Sequence, residues 1–161
     1  MRTFDAVCCA AAAALILGAA EVWAAEEPFD ACEVFTQPDA EKALGTTAAP
    51  EPVNPKARRP KVVATCTYNG FRDGKAVAAS VQFRFGRSEA EAQQAFDEAR
   101  LQLQSKPLLI SGAQAFWSGR MGQLYLRKGR TWIVVSSGSE KSAERGIDEA
   151  RKLAEILAAK L

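Results

Sequence analysis

Apolar and polar residues alternate most regularly between Ala76 and Phe85. Successive side chains of a strand point to opposite sides of its sheet, so this pattern predicts a strand with one buried face and one wet face. Such strands are typical of antiparallel sheets, because parallel sheets are covered on both sides. We expect Val81, Phe83 and Phe85 to pack against Phe96 and the last helix. The full inward set is Val77, Ala79, Val81, Phe83 and Phe85, and the set facing solvent or a partner is Ala76, Ala78, Ser80, Gln82 and Arg84.

Other segments rich in Val, Thr, Ile, Leu and aromatic residues also have strand character. Turn residues separate them, at Asn69–Gly74, at Gly112, at Ser118-Gly119 and at Lys128-Gly129. The last of these turns predicts a hairpin. The predicted strands are Lys61–Tyr68, Leu108–Ser111, Gln123–Arg127 and Thr131–Ser137, with extended chain also at Ala115–Trp117.

Three helices are predicted from capping residues and from apolar residues at helical spacing. Thr36-x-x-Asp39 begins a short first helix, which Gly45 ends because glycine readily adopts the left-handed backbone of a helix C-terminus. Ser88-x-x-Glu91 is a capping-box pattern and begins the main helix. The last helix is predicted from about Glu140 to residue 161. The apolar stripes are Ala92, Ala95, Phe96, Ala99 and Leu103 in the main helix and Ile147, Ala150, Ala154, Leu157 and Leu161 in the last.

The order of these elements is helix, two strands, helix, three strands and helix, which predicts the α+β class. We expect a two-layer sandwich in which an antiparallel sheet of about five strands carries the helices on one face. A single domain is predicted for residues 25–161. Its loop at residues 46–60 contains four prolines, which exclude helix and central strand. This loop is either a functional segment or a solvated connection.

Residues 1–24 have the pattern of a cleaved secretion signal. Arg2 begins a short charged stretch, the apolar run Ala6–Ala20 follows, and Val22–Ala24 offers residues that a signal peptidase accepts. The run is short for a bilayer span, which favours cleavage over an uncleaved anchor. Cys8-Cys9 comes before most of the apolar run, which disfavours lipidation there. We expect a periplasmic or secreted protein without stable membrane insertion after cleavage.

Two cysteines follow the predicted signal, Cys32 and Cys66. In an oxidising compartment this even number favours a disulfide, and two cysteines allow one intramolecular pairing. The alternative is a redox site, but neither cysteine lies in a Cys-x-x-Cys motif or beside an activating neighbour. We therefore expect a structural disulfide that ties both ends of the proline-rich region to the core.

The composition removes most catalytic chemistry, because the chain has no histidine. Ser-His-Asp and Cys-His arrangements are excluded, and the glycine-rich phosphate loops are absent. Metal binding would have to use carboxylates, and Glu89 and Glu91 stand at a predicted helix start, where acids are favoured in any case. A net charge of +2 without basic and aromatic clusters does not indicate nucleic acid. We expect no enzymatic activity, no cofactor and no metal site.

Two segments carry residues suited to binding a partner. Trp117 and Arg120 flank a glycine-containing turn, and tryptophan and arginine are frequent anchors at interfaces. The alternative is a core strand that ends in a tight turn, with Trp117 part of the packing. Arg58 and Arg59 make the proline-rich loop locally basic.

These features predict a non-enzymatic binding or accessory domain of the cell envelope, with another envelope protein as its partner. One alternative is an inhibitor or accessory subunit of an envelope hydrolase. Two others are a structural envelope component and a small enzyme that uses carboxylates.

Several short motifs follow one another in a set order. Cys32 leads into a predicted short helix ending Leu44-Gly45, and Cys66 lies in a strand. Ile110–Trp117 contains a Gly-x-x-Ala-aromatic segment, and Leu124–Gly129 is a strand with a Lys-Gly turn. In this order the chain resembles small exported proteins and lipoproteins of the DUF3558-like type, although it has no lipobox cysteine at the predicted cleavage site. The resemblance implies an exported α+β protein and no particular activity.

Overall fold

The computed structural model describes residues 29–52 and 63–161. Within them, six strands form one sheet in the order β1-β2-β6-β5-β4-β3, and every neighbouring pair is antiparallel. Four α-helices and one 3-10 helix accompany the sheet. The strands are β1 (Ala64–Arg72), β2 (Lys75–Phe85), β3 (Pro107–Ile110), β4 (Ala113–Ser118), β5 (Gln123–Lys128) and β6 (Thr131–Ser139). The α-helices are α1 (Ala31–Val34), α2 (Gln37–Leu44), α3 (Glu89–Gln102) and α4 (Ile147–Ala158), and the 3-10 helix is Ser142–Glu144.

The predicted α+β class is confirmed, with six strands where about five were expected. Ser111 and Gly112 take φ angles of 48° and 77° and join β3 to β4 as a two-residue hairpin. The additional strand is β4, at the segment Ala115–Trp117 that was predicted only as extended chain. Asp73-Gly74 forms the corresponding turn after β1, so Asn69-Gly70 lies inside that strand.

One face of the sheet, called the first face here, carries the larger core. The alternation predicted for β2 is confirmed from Val77 to Phe83, and helices α1, α2 and α4 cover these side chains. Phe85 is an exception, since it is 38% exposed at the end of the strand and meets the ring of Phe29 at 4.8 Å. The strand residues of this core include Val77, Ala79, Val81, Phe83, Leu124, Leu126, Ile133 and Val135.

The expectation that all helices lie on one face is wrong for α3. Its Phe96 packs on the opposite side, the second face, with its ring 4.9 Å from that of Phe116. Phe96 therefore lies across the sheet from Phe83 instead of against it. The reason is that β5 and β6 also bury Tyr125 and Trp132 on this face, and strands that are apolar on both faces need cover on both.

The last helix begins at Ile147, later than the predicted Glu140. Local hydrogen bonds hold the preceding residues in another conformation. The Ser139 hydroxyl donates to the Glu144 carboxylate at 2.9 Å, and the Arg145 guanidinium donates to the Ser139 carbonyl at 2.7 Å. Gly146 follows in an extended conformation as the N-cap. Side-chain bonds of this kind compete with helix formation, and glycine is a poor helix former.

The starts of α2 and α3 agree with the capping predictions. The Thr36 amide and hydroxyl both donate to the Asp39 carboxylate, at 2.9 and 2.7 Å. The Ser88 hydroxyl accepts the Glu91 amide at 3.1 Å. Each bond satisfies a polar group that has no partner within the helix. The two capping patterns therefore predict where these helices begin.

The predicted disulfide between Cys32 and Cys66 is confirmed, with 5.3 Å between the two Cα atoms. It joins α1 to β1 across the first-face core, where Cys66 is fully buried. A covalent link of this kind limits the freedom of the unfolded chain and so stabilises the fold. The full burial of Cys66 favours the structural role over the redox alternative.

Candidate functional site

The turn between β4 and β5 has a rigid base and an exposed tip. The Gly122 amide donates to the Gly119 carbonyl at 3.3 Å, and Gly122 has a φ of 57°. A Cβ at Gly122 would collide with the carbonyl oxygen of Ser142, so only glycine lets the 3-10 helix pack against the turn. Arg120 and Met121 occupy the exposed tip.

A groove of about 330 Å³, called the Trp117 groove here, lies beside this turn. Its walls come from the turn itself, from the segment after α3, and from the start of α4. The structure therefore brings the predicted residues Trp117 and Arg120 together and adds others that the sequence pattern did not indicate. The main lining residues are Leu103, Lys106, Leu108, Trp117, Arg120 and Ile147.

Trp117 belongs both to the packing and to the groove. Its half-buried side chain packs against the first-face core beside the partly buried Leu108 and Ile147. Its indole Nε1 lies 3.5 Å from the position that a Cβ would take at Gly119, and it forms no hydrogen bond within the described residues. The two interpretations of the sequence, core residue and binding residue, thus describe different parts of the same side chain.

The charge of this groove is uncompensated. Lys106 and Arg120 are exposed, no carboxylate lines the groove, and neither cation forms an ion pair or hydrogen bond within the described parts of the chain. A lysine and an arginine that line one groove with an indole and aliphatic side chains form a surface for an anionic group attached to an apolar one.

A second groove, near the β1–β2 hairpin, differs because carboxylates line it beside its cations. Arg72 contacts the Glu149 carboxylate at 2.5 Å and donates to the Leu44 carbonyl at 3.0 Å. Lys75 and Glu144 also line this groove. The Arg72 contacts connect the hairpin to α2 and α4, which is a structural role.

A third groove, of about 710 Å³, lies between α3 and strands β3 and β4 on the second face. Phe96 and Leu108 supply apolar lining, and Leu109 at its margin is 74% exposed. Asp97 and Arg100 are paired with each other along α3 at 3.6 Å. Leu108 also lines the Trp117 groove, so strand β3 lies between the two grooves.

Sequence reasoning missed a stack of aromatic rings and a cation on the second face. The guanidinium carbon of Arg84 lies 4.8 Å from the centroid of the Trp132 ring. Tyr125 stacks on Phe116 with centroids 4.4 Å apart and on Trp132 with centroids 6.2 Å apart. Burial raises the pKa of Tyr125, and the charge of Arg84 opposes that rise. Arg84 and Trp132 are cross-strand partners, so the register of β2 and β6 is the signal that identifies the pair.

The other predicted binding residues, Arg58 and Arg59, lie outside the described residues. Comparisons of this chain with protein-family models, curated proteins and solved structures gave no match. None of the helices within residues 29–52 and 63–161 has both the length and the hydropathy needed to cross a membrane. The same part of the chain contains no group of three or more His, Cys, Asp or Glu side chains placed to hold a metal ion.

Proposed function

We propose that this chain is a small, exported, non-enzymatic binding domain of the cell envelope, and that the Trp117 groove captures an acidic segment of another envelope protein. The observation that carries the proposal is a pair of exposed cations beside the half-buried indole, Lys106 and Arg120, which have no acidic partner within residues 29–52 and 63–161. Complementary charge at an interface speeds association and excludes like-charged partners. The apolar lining supplies area that can be buried with a partner side chain.

Export is supported by the Cys32–Cys66 disulfide, since such bonds persist mainly in oxidising compartments. The signal-like pattern of residues 1–24 and the resemblance to small exported proteins point in the same direction.

The non-enzymatic part of the proposal rests on the chemistry of the side chains. The chain has no histidine. Two of its carboxylates are held in structural ion pairs, Glu149 with Arg72 and Asp39 with Lys160. A general acid or base needs a free approach to its substrate, and a carboxylate held in an ion pair does not offer it.

The test is capture of partners by the full-length tagged protein from a cross-linked envelope fraction, with quantification by mass spectrometry. The double variant Lys106→Glu and Arg120→Glu reverses the charge of the groove. The matched control, Arg130→Glu and Lys152→Glu, makes the same charge change at exposed positions outside the groove.

We expect the groove variant to lose at least about 90% of a captured partner that the control retains, because each reversed cation replaces attraction with repulsion. Equal melting temperatures of the two variants exclude unfolding as the cause. Equal capture by both variants would contradict the proposal.

A further inference from the structure

Strand β3 is an edge of the sheet, and an edge strand presents unpaired backbone groups. Its register with β4 identifies them. Ile110 and Ala113 close a two-residue hairpin, so they form a hydrogen-bonded pair. Along an antiparallel ladder, pairs that exchange backbone hydrogen bonds alternate with pairs that do not. Leu108 and Ile110 therefore point their backbone groups toward β4, while Leu109 points its N–H and C=O outward.

Pro107 agrees with this assignment. A proline has no N–H to donate, and it is tolerated in an edge strand where the N–H would face outward. Pro107 pairs with Phe116 at such a position, two residues before Leu109. The outer edge of β3 thus offers three groups, the N–H and C=O of Leu109 and the C=O of Pro107.

The opposite edge of the sheet is less open. Ala48 forms an isolated bridge with Gly70 of β1, and the Ala49 amide donates to the outward carbonyl of Asn69 at 2.7 Å. Part of the edge of β1 is therefore covered by the chain that precedes it. The described residues place no such segment along β3.

A groove flanks β3 on each side of the sheet. Toward the first face is the Trp117 groove with Lys106 and Arg120, and toward the second face is the groove under α3 with Phe96 and the exposed Leu109. Successive side chains of an added strand would point alternately to these two faces. The first groove favours carboxylates by its charge, and the second favours aliphatic side chains by its lining.

We propose that the partner segment binds as an added strand on β3, with acidic side chains toward Lys106 and Arg120 and apolar side chains against Phe96 and Leu109. This inference rests on the proposed function and specifies the shape of its ligand. Strand addition explains why a four-residue edge strand lies between two grooves of different character: main-chain bonds supply affinity and the alternating pockets supply selectivity.

The test uses the full-length protein and, as a probe, a blocked eight-residue peptide that alternates glutamate and valine. A peptide of the same composition with the four glutamates before the four valines is the matched control. Amide hydrogen exchange followed by NMR reports on the backbone directly. Leu109 should exchange quickly in the free protein and at least about tenfold more slowly with the alternating peptide, whereas Ile110 should be protected in both states.

Leu109→Pro provides the matching variant, since it removes the outward N–H without touching a bond to β4, as Pro107 already does. Leu109→Ala removes the side chain and keeps the N–H. We expect the proline variant to weaken peptide binding about tenfold and the alanine variant to weaken it less, with both remaining folded by circular dichroism.

Two results would overturn strand addition. One is peptide binding without protection of the Leu109 amide. The other is protection that depends on protein concentration alone, because it would mean that two copies of the chain pair through β3.

The proposed function and the strand addition can fail separately. If envelope capture needs Lys106 and Arg120 but is unchanged in Leu109→Pro, the groove binds its partner in another way and strand addition is wrong. If capture needs neither cation, the proposed function itself is wrong.

Discussion

Lys160 donates a hydrogen bond to the carboxylate of Asp39, with 2.5 Å between Nζ and Oδ2, across 121 positions of sequence. The same carboxylate oxygen accepts the amide and the hydroxyl of Thr36 at the start of α2. Lys160 also donates to the carbonyl of Val34 at 2.9 Å. The Lys160 ammonium therefore links the residues that follow α4 to both N-terminal helices, to α1 through Val34 and to α2 through Asp39.

This contact predicts that the free energy of unfolding falls at acid pH. Burial alone would raise the pKa of Asp39, but hydrogen bonds from Lys160 and Thr36 outweigh it and hold the pKa below its ordinary 3.8. A carboxylate with a lowered pKa stabilises the fold above its unfolded pKa, and the contribution is lost as pH falls through the folded pKa. We expect the free energy of unfolding to decline below about pH 4, and to decline less in Asp39→Asn. Urea unfolding at several pH values measures this, with the exposed Glu155→Gln as control. Identical pH slopes for the wild type and Asp39→Asn would contradict it.

The two faces of β2 predict unequal costs of truncation. Phe83 is fully buried on the first face, whereas Gln82 is half-exposed on the second. Phe83→Ala should lower the free energy of unfolding by about 3–5 kcal/mol, because it leaves a cavity. Gln82→Ala should cost less than about 0.5 kcal/mol. Chemical denaturation of both variants decides this, and similar losses at the two positions would mean that the register is wrong.

The disulfide predicts the redox sensitivity of the fold. Replacing Cys32 and Cys66 together by alanine should lower the free energy of unfolding by about 2–5 kcal/mol. Thiol titration of the wild type, unfolded without reductant, should find neither of these two cysteines free. A titration that finds both free would rule out the bond in solution.

Gly112 and Gly122 both have a left-handed backbone but differ in their surroundings. Substituting each by alanine therefore distinguishes the cost of backbone strain from the cost of a steric collision. Gly112 has a φ of 77° and nothing near the position of an added Cβ, whereas Gly122 has a φ of 57° and the Ser142 carbonyl at that position. Gly112→Ala should cost about 1 kcal/mol through backbone strain. Gly122→Ala should cost at least about 2 kcal/mol, because the 3-10 helix must also shift. Thermal unfolding compares them, and equal costs would show that the turn and the 3-10 helix are not tightly packed.

Trp117 should affect both stability and capture. Trp117→Ala removes an indole that packs on the core, so we expect a loss of about 2 kcal/mol in stability as well as loss of capture. Trp117→Phe should retain most of the stability and part of the capture. Calorimetry run beside the capture assay checks both effects. Unchanged stability in Trp117→Ala would mean that the side chain makes no contribution to the core.

Local patterns predicted the elements that depend on local physics. The capping bonds of Thr36 and Ser88 involve residues three positions apart, and the alternation of β2 reflects a single strand between a core and solvent. The late start of α4 was missed, because bonds such as that from Ser139 to Glu144 become visible only with side chains in place.

The side of the sheet that α3 covers could not be predicted from α3 itself. Its apolar stripe is the same whichever face it meets, and the choice depends on β5 and β6 burying Tyr125 and Trp132 on the second face. The sequence predicted only part of the candidate site for a similar reason: it indicated Trp117 and Arg120 but not Lys106. Trp117 and Arg120 are three positions apart in sequence, whereas Lys106 reaches the groove only because β3 folds back against β4.

The strand order has a consequence for how the chain folds. β1 and β2 form one hairpin, and β3 to β6 form a meander. Within each of these units, the strands that pair are consecutive in sequence. The pairing of β2 with β6 instead joins strands that are separated in sequence by α3, β3, β4 and β5. Bringing together segments that are distant in sequence is slow, because the chain must lose the entropy of the intervening loop first. We expect the junction of Val81 with Val135 to be the last part of the sheet to form. Until it does, two unpaired strand edges that carry apolar side chains are exposed, and refolding at high protein concentration should lose material to aggregation at this stage.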